Sequence, residues 1–239
     1  MPPEPPVFGP FWPFPGSAAE VTARPSLINA VLRVLDVATN YNPAMVAGII
    51  LAAGRSTRMG RSKALLMAPD GLTFVARLIQ TLSRGGVDAP LVVGRSDDDL
   101  LLSAVESVGA RFVINADADD GGQLSSLLAG LHKADRPGVR GLMITPVDAP
   151  MVTPETVSRL IAVFEDTAGL IVRARYHGRN GHPVIFSRAL FDELRHANPQ
   201  SGAKAVLRAH QDAIIEVDVD DPGVVADIDT PEDYQKLVG

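Results

Sequence analysis

The sequence predicts an α/β protein with a mostly parallel sheet that is covered by helices, and with a more mixed C-terminal part. From Met45 onward, short apolar runs alternate with segments that carry apolar residues at helical spacing. This alternation is typical of parallel sheets, because each return to a parallel strand needs a crossover that is usually a helix. A chain of 239 residues with 46% hydrophobic residues is long enough to bury the core of such a sheet.

Composition excludes several classes of function. The chain has no cysteine, which rules out disulfides, thiolate nucleophiles and Cys-ligated metal sites, and we expect a cytoplasmic protein. A net charge of -6 and a pI near 5.3 argue against a general nucleic-acid-binding surface. No apolar run approaches the roughly 20 residues that would cross a bilayer, so we expect no membrane association.

Residues 1–44 differ from the rest of the chain. Residues 1–16 contain seven prolines with four aromatic residues interleaved, which predicts a disordered or polyproline-like tail. Residues 26–38 predict a short amphipathic helix. Two explanations stay open for this extension: a functional arm, or an upstream start in front of Met45. In both cases we expect residues 45–239 to form the domain and residues 1–44 to lie outside its core.

The elements of the domain follow in order along the chain. Residues 46–51 form an apolar run with β-branched side chains, which predicts a buried strand. Residues 74–82 predict a helix that ends at a Gly-Gly pair. Thr153 and Pro154 predict an N-cap with proline at the first helical position. The other predicted strands are residues 90–93, 111–114, 141–147, 169–174, 183–186 and 213–219, and the other predicted helices cover residues 100–108, 124–131, 187–196, 202–210 and a last segment capped by Thr230.

The segment after the first strand carries the densest chemistry. It places four positive charges within nine residues, from Arg55, Arg58, Arg61 and Lys63. Gly54 and Gly60 permit a tight turn, and Ser56 and Thr57 add hydroxyl donors. The spacing matches neither the G-x-x-x-x-G-K-[ST] phosphate loop nor the G-x-G-x-x-G dinucleotide loop. The segment therefore predicts a different cradle for a polyanion, and a nucleoside triphosphate suits it best.

Residues 46–63, VAGIILAAGRSTRMGRSK, resemble the LAxGxSxRMGxxK motif of the MobA-like nucleotidyltransferases over its whole length. Within that family they look most like the molybdenum cofactor cytidylyltransferases. The resemblance covers about residues 46–238 and implies a single three-layer, Rossmann-like nucleotidyltransferase domain. It implies that Arg58 and Lys63 are catalytic groups on the triphosphate. The nucleotide-binding residues that it implies are Leu51, Ala52, Ala53, Gly54, Arg55, Ser56, Arg58, Met59, Gly60, Lys63, Gln123 and Ser125.

Carboxylates near two strand ends are candidate metal ligands. Asp148 follows the predicted strand at 141–147, where open α/β sheets place ligand-binding groups, and its carboxylate suits Mg²⁺. From the residues alone, a turn or cap role is equally open. The segment resembles the D-x-P metal motif of the family, which implies that Asp148 is a catalytic metal ligand. A related motif implies Asp227 as a second ligand, whereas for Asp229 we favour a role in the turn before the last helix. The acidic residues at 218–221 predict a solvated loop.

Two further segments extend the predicted site. Residues 121–126 offer amide, hydroxyl and backbone groups at a helix start, and the resemblance implies that they contact the nucleotide base. Residues 179–184 resemble the acceptor-facing GHPV-type segment of the cytidylyltransferases, which implies acceptor binding by Gly181, His182 and Pro183. For His182 a purely structural hydrogen bond is the alternative. The loop at 201–204 departs from the family form, with Lys where Arg is expected.

The implied reaction is transfer of CMP from CTP to a phosphorylated acceptor, molybdopterin or the molybdenum cofactor, with Mg²⁺ as cofactor and pyrophosphate as product. CTP is implied by Ala53, because the cytidylyltransferases read LAAG and the guanylyltransferases LAGG. Three alternatives stay open: a sugar phosphate or another small phosphorylated acceptor, GTP as the donor, and a non-catalytic protein that carries molybdopterin. A molybdoenzyme apoprotein would be the partner that receives the product.

Overall fold

The computed structural model describes residues 45–57, 59–199 and 201–239. The expectations for residues 1–44 and for Arg58 lie outside the described residues. Within those ranges, seven strands form one sheet, which confirms the α/β prediction. The strands are β1 (Met45–Leu51), β2 (Asp88–Arg95), β3 (Arg111–Asn115), β4 (Val139–Pro146), β5 (Ile171–Tyr176), β6 (Arg179–Ser187) and β7 (Ile214–Asp218).

Helices and short 3₁₀ turns connect the strands. The helices in the described part of the chain are α1 (Phe74–Arg84), α2 (Asp99–Ser107), α3 (Gly122–Ala134), α4 (Pro154–Thr167), α5 (Phe191–Arg195), α6 (Ala203–Ala209) and α7 (Pro231–Val238). Thr153 and Thr230 cap α4 and α7, each with a side-chain oxygen that accepts a hydrogen bond from a backbone N–H of the first turn. Both predicted caps are therefore confirmed. Within these ranges, no helix is long and apolar enough to cross a bilayer.

Strand order places β1 where the chain turns from one side of the sheet to the other. The order is β3-β2-β1-β4-β6-β5-β7. β1 pairs in parallel with β2 on one side and with β4 on the other, whereas β6 is antiparallel to both of its neighbours. The strand order changes direction at β1, since the chain first adds β2 on one side of it and later adds β4 on the other. Open α/β sheets bind ligands at such a change of direction. The antiparallel β6 is the mixed feature expected in the C-terminal part.

Both faces of β1 are buried. Val46 and Ile50 belong to one apolar cluster, Ala47 and Ile49 belong to another, and none of the four is more than 2% exposed. A strand covered on both faces needs an uninterrupted apolar sequence instead of an alternating one. This requirement explains the continuous run at residues 46–51 and gives the three-layer arrangement.

One helix prediction needs revision. Residues 187–196 are predicted as a single helix, but the structure has a 3₁₀ turn at Arg188–Leu190 followed by the short α5. Leu190, Phe191 and Leu194 are all buried, which accounts for the helical pattern in the sequence. The apolar spacing is compatible with both kinds of turn, because i and i+3 positions neighbour each other in either.

Asp221 contradicts the prediction of a solvated acidic loop. It is 4% exposed. One carboxylate oxygen accepts hydrogen bonds from the backbone N–H of Thr153 and from the hydroxyls of Thr153 and Thr156, and the other accepts from the backbone N–H of Gly223. These donors compensate the cost of burying a carboxylate. Asp221 therefore fastens the segment after β7 to the start of α4, while the neighbouring Asp220 is exposed as predicted.

Candidate active site

The carboxyl ends of β1 and β4 bring two predicted segments together. Leu51 is paired with Pro146 at the end of the two strands, and the backbone N–H of Val147 donates to the Leu51 carbonyl oxygen at 3.0 Å. Asp148 lies two residues beyond β4. The loop after β1 and the segment that carries Asp148 therefore start side by side at one edge of the sheet.

A cavity of about 420 Å³, called here the loop cavity, opens at this edge. Its walls come from the loop after β1, the segment before α3 and the segment after β4. From the loop, the predicted residues that line it are Leu51, Ala53, Gly54, Arg55, Ser56 and Lys63. Gln123 and Asp148 line it from the other walls. The fold thus gathers most of the predicted nucleotide-binding residues around one space.

Other predicted loop residues serve the loop itself. Ala52 is buried, and its backbone N–H donates to the Val93 carbonyl oxygen at 2.8 Å. Met59 is partly buried against the apolar core, and Gly60 lines a neighbouring opening on the outer side of the loop. Arg58 is not among the described residues, so its predicted role on the triphosphate stays a prediction. Ala52, Met59 and Gly60 belong to the loop but do not line the loop cavity.

The loop turns at positions that the sequence predicts only in part. Gly60 has a φ of +66°, as expected for a glycine turn. Gly54 does not have a positive φ, and a Cβ placed there would meet nothing within 4 Å. The left-handed residue near it is Ser56, with a φ of 49°, and its hydroxyl oxygen accepts a hydrogen bond from the backbone N–H of Lys63 at 3.1 Å. Ser56 therefore closes the loop on itself, and the missing side chain of Gly54 leaves space beside the cavity.

At the start of α3, two adjacent serines have different surroundings. The predicted Ser125 hydroxyl is partly buried and bonded to other groups of the protein: it accepts from Asn115 Nδ2 at 2.8 Å and donates to the Gly122 carbonyl oxygen at 2.8 Å. Ser126 lines the loop cavity instead. Asn115 is 3% exposed and also donates to Ser126 Oγ at 2.9 Å. Of the segment predicted to contact a base, Gly122, Gln123 and Ser126 line the loop cavity, and Asn115 braces the two serines from inside.

Arg55 is neutralised by a carboxylate that the sequence analysis missed. Its Nε and Nη2 donate to the two oxygens of Asp119 at 2.7 and 2.8 Å. Arg95, at the end of β2, binds the same two oxygens at 2.8 Å each. These hydrogen bonds, first from Arg95 and then from Arg55, hold the pKa of Asp119 well below its usual range. The position of Arg95 at a strand end was an available signal, whereas nothing distinguishes Asp119 from the neighbouring acidic residues in the sequence.

Lys63 contacts two of the candidate carboxylates. Its Nζ lies 2.6 Å from Asp229 Oδ1 and 3.5 Å from Asp148 Oδ2. The interpretation of Asp229 as the turn-forming residue is therefore wrong for its side chain. The turn is held by Asp233, whose carboxylate accepts hydrogen bonds from the backbone N–H groups of Asp229 and Thr230.

Asp227 and Asp148 offer carboxylate oxygens, which are the donors that a hard divalent cation prefers. Partial desolvation raises the pKa of Asp227, and the negative charges of Asp148 and Asp229 raise it further. Lys63 contacts both Asp148 and Asp229, and the backbone N–H of Ile228, between Asp227 and Asp229, donates to the Asp148 carbonyl oxygen, so the three residues lie in one region. In the described ranges, no group of three or more His, Cys, Asp or Glu side chains is arranged to hold a metal ion without other ligands. Phosphate oxygens and water would have to complete the coordination, as is usual for Mg²⁺.

A second cavity of about 490 Å³, called here the basic cavity, adjoins the first. Leu51, Gly122 and Gln123 line both cavities. The charged residues on the basic cavity are Arg173, Arg179, Lys204 and Asp227. Arg173 is paired with Glu216 at 2.7 Å, whereas Arg179 and Lys204 form no ion pair with any described residue. The cavity is therefore suited to an anion.

His182 and Gly181 line the basic cavity, but Pro183 does not. Pro183 is buried within β6. Burial lowers the pKa of His182, which favours a neutral imidazole at pH 7, and its Nδ1 is buried without a hydrogen-bond partner among the described residues. Gly181 is required by packing, because a Cβ there would lie 1.9 Å from the carbonyl oxygen of Val224. His182 is thus the polar side chain of this trio that a ligand can meet.

A model of the MobA-like NTP transferase domain matches residues 48–214 of this chain. The chain belongs to this family of nucleotidyltransferases. The resemblance seen at residues 46–63 is thereby confirmed at the level of the family, as is the enzyme class. The seven-stranded sheet agrees with this assignment.

Relatives in the family have several different names. The chain is 28% identical to the purine catabolism protein PucB of Bacillus subtilis, over 80% of this chain and 94% of that protein. It is 27% identical to the nicotine blue oxidoreductase of Paenarthrobacter nicotinovorans, over 81% and 96%. It is also 27% identical to a molybdenum cofactor guanylyltransferase of Ralstonia nicotianae, over 80% and 95%. The family assignment therefore leaves donor and acceptor open.

Among solved structures, the chain is similar to Rv0371c from Mycobacterium tuberculosis. The two share 29% sequence identity with a TM-score of 0.70, over 81% of this chain and 98% of that one. A structure of Rv0371c in complex with manganese is also similar, with a TM-score of 0.66. A divalent metal is therefore known in a structure of this fold at comparable identity.

Proposed function

We propose that this MobA-like protein transfers CMP from CTP to a phosphate of a molybdopterin-type acceptor, with Mg²⁺ as cofactor and pyrophosphate as the second product. The observation that carries the proposal is the junction of the loop cavity and the basic cavity at Leu51, Gly122 and Gln123. Asp148 lines the first cavity and Asp227 the second. A nucleotide in one space and an anionic acceptor in the other would meet between these carboxylates.

The reaction needs little covalent help from the protein. A phosphate oxygen of the acceptor attacks the α-phosphorus of CTP, a new O–P bond forms, and the bond from the α-phosphorus to the β-phosphate oxygen breaks to release pyrophosphate. The acceptor oxygen is already ionised at neutral pH, so no general base is required. Catalysis then rests on orientation and on charge neutralisation. Lys63 supplies positive charge at the triphosphate, and Asp148 with Asp227 would hold the Mg²⁺ that neutralises the α-phosphate.

The chemistry of the basic cavity supports a phosphorylated acceptor with an apolar body. Arg179 and Lys204 provide cationic groups that form no ion pair with a carboxylate among the described residues. Apolar side chains such as Leu124, Val184 and Phe186 form other parts of the wall. A fused ring system with a phosphate would use both parts, and molybdopterin has this composition. The molybdenum cofactor relative supports the same choice.

The preference for CTP rests on Ala53. Ala53 lines the loop cavity and is 7% exposed as a residue. Gln123 and Ser126 line the same cavity. A methyl at this position narrows the space for a base, which favours a pyrimidine over a purine. Because the named molybdenum cofactor relative is a guanylyltransferase, GTP must be tested alongside CTP. The proposal includes a cytoplasmic setting and a molybdoenzyme apoprotein as recipient of the product.

Pyrophosphate release tests the proposal directly. Each of four nucleoside triphosphates is combined with molybdopterin or with a panel of sugar 1-phosphates, and products are identified by mass. We expect release with CTP and molybdopterin, and none with CTP alone. A preference for GTP would show that the assignment of CTP as donor is wrong. Pyrophosphate release only with sugar phosphates would show that the assignment of the acceptor is wrong. Molybdopterin binding without release from any triphosphate would favour a carrier.

A further inference from the structure

Lys63 and Asp229 form a contact that joins distant parts of the chain, 166 residues apart. The Lys63 side chain is 12% exposed, and that of Asp229 is 50% exposed. The ammonium therefore lies on the inner side of the pair, also facing Asp148 at 3.5 Å. The ammonium therefore places a positive charge beside the Asp148 carboxylate, as a divalent cation on Asp148 would.

Both ends of this contact are fixed by the backbone. On one side, the backbone N–H of Lys63 donates to Ser56 Oγ, and the next residue, Ala64, is 1% exposed. On the other side, the backbone N–H of Ile228 donates to the Asp148 carbonyl oxygen at 2.8 Å, and that of Asp229 donates to the Asp233 carboxylate at 3.3 Å. The backbones on both sides are therefore anchored, and the largely buried Lys63 side chain distinguishes this pair from a fully exposed ion pair, which would contribute little.

We propose that Asp229 is a positioning residue that holds the Lys63 ammonium beside Asp148 in the nucleotide-free protein, so that the metal enters together with the nucleotide. This inference rests on the proposed function. An ammonium and a divalent cation repel each other if both lie against Asp148. The triphosphate brings the negative charge that draws Lys63 away from Asp148 and leaves the carboxylate free for the metal. Asp229 then governs when the metal binds, without itself being a metal ligand.

Binding of Mn²⁺ in the absence of nucleotide tests the inference. Mn²⁺ is titrated into the full chain, and free Mn²⁺ is measured by electron paramagnetic resonance. Lys63→Met should bind Mn²⁺ at least about tenfold more tightly than wild type, because a nearby positive charge is removed from a partly buried site. Lys236→Met is the charge-matched control, since Lys236 lies in α7 and lines neither cavity. It should change the dissociation constant by less than about twofold, because solvent and salt screen exposed charges.

A double variant isolates the role of Asp229. In an Asp229→Asn background Asp148 alone attracts the ammonium, which is then held less firmly in place, so the gain from Lys63→Met should shrink to a few-fold at most. Thermal midpoints verify folding, and Lys63→Gln replaces Lys63→Met if the latter unfolds. An unchanged Mn²⁺ affinity in Lys63→Met, or an undiminished gain in the Asp229→Asn background, overturns the inference. Neither nucleotide nor acceptor is present, so a failed pyrophosphate assay with an intact Mn²⁺ result overturns only the proposed function.

Discussion

Asp148 and Ala53 have different proposed roles in the loop cavity. Asp148 concerns the neutralisation of the triphosphate charge, and Ala53 concerns the choice of base. Asp148 lies beside Lys63 on the wall of the loop cavity, and its side chain is 29% exposed. Ala53 carries a single methyl group on the wall of the loop cavity. Because the two side chains act on different parts of a nucleotide, their substitutions should have different kinetic signatures.

Asp148→Asn should keep the fold and lose most of the turnover. A neutral amide cannot hold a divalent cation against the triphosphate, and loss of one such group costs on the order of 3 kcal/mol, or ~100-fold in rate. The measurement is pyrophosphate release at saturating Mg²⁺, with thermal midpoints for both proteins. Asp120→Asn, at an exposed carboxylate that lines neither cavity, is the matched control and should retain its rate. Wild-type release from Asp148→Asn would refute the metal role.

Ala53→Gly should relax the base preference toward GTP without inverting it. One methyl group in a pocket discriminates by roughly 1 to 3 kcal/mol, about 10- to 200-fold, so other contacts must share the selection. The test compares kcat/KM for CTP and GTP in both proteins with the same acceptor. If the ratio of kcat/KM for CTP to that for GTP is unchanged in Ala53→Gly, then Gln123 and Ser126, and not the methyl group, select the base. If the wild-type protein prefers GTP, the assignment of CTP as donor is wrong.

At the scale of elements, the buried carboxylate of Asp221 joins segments that the sheet leaves apart. Asp221 ties the 3₁₀ turn Pro222–Val225 to the start of α4 through hydrogen bonds with Thr153 and Thr156. Gly223 in that turn packs so closely that a Cβ would lie 2.3 Å from the Met151 carbonyl oxygen. The same turn leads into the segment with Asp227 and Asp229. The position of these two carboxylates therefore depends on a brace outside the site.

Asp221→Asn should destabilise the protein measurably. The amide keeps the shape but replaces one acceptor oxygen by a donor that faces other donors, which typically costs about 1 to 3 kcal/mol. Urea unfolding gives the free-energy change, with the exposed Asp220→Asn as control, expected within about 0.5 kcal/mol of wild type. Equal stability of the two variants would mean that the Asp221 contacts contribute nothing net.

At the scale of the whole molecule, strand order creates the site. β1 and β4 are adjacent in the sheet although two other strands separate them along the chain. The antiparallel β6, next to β4, brings His182 and Arg179 to the basic cavity. The two cavities are thus consequences of one topology.

A chain that starts at Met45 should match the full chain in kcat and in thermal midpoint. Every predicted site residue lies at or beyond Leu51, and such a start keeps all of β1. The assay is pyrophosphate release by the two proteins under identical conditions. A folded truncation with reduced kcat would instead assign the aromatic and proline-rich arm a role at the site.

The fold and part of the site could be predicted because their signals are local. Continuous apolar runs, helical spacing and the Thr153 cap depend on a few neighbouring residues, so the strands and helices are found with bounds shifted by a few positions. The strand-end location of Asp148 follows from the same local pattern. The motif at residues 46–63 adds the family, since its small and basic residues lie within one loop.

What the sequence by itself determined about this protein is its class, its elements and the loop that carries the nucleotide-binding motif. Only the tertiary structure decided that Lys63 binds Asp229, that Asp119 neutralises Arg55, and that Asp221 is buried. Two of these contacts join residues 64 and 166 positions apart. A side chain's partner at such separations depends on which loops the sheet topology brings together. No local pattern specifies the partner, because an acidic side chain in a loop can be paired or solvated with the same neighbours in the sequence.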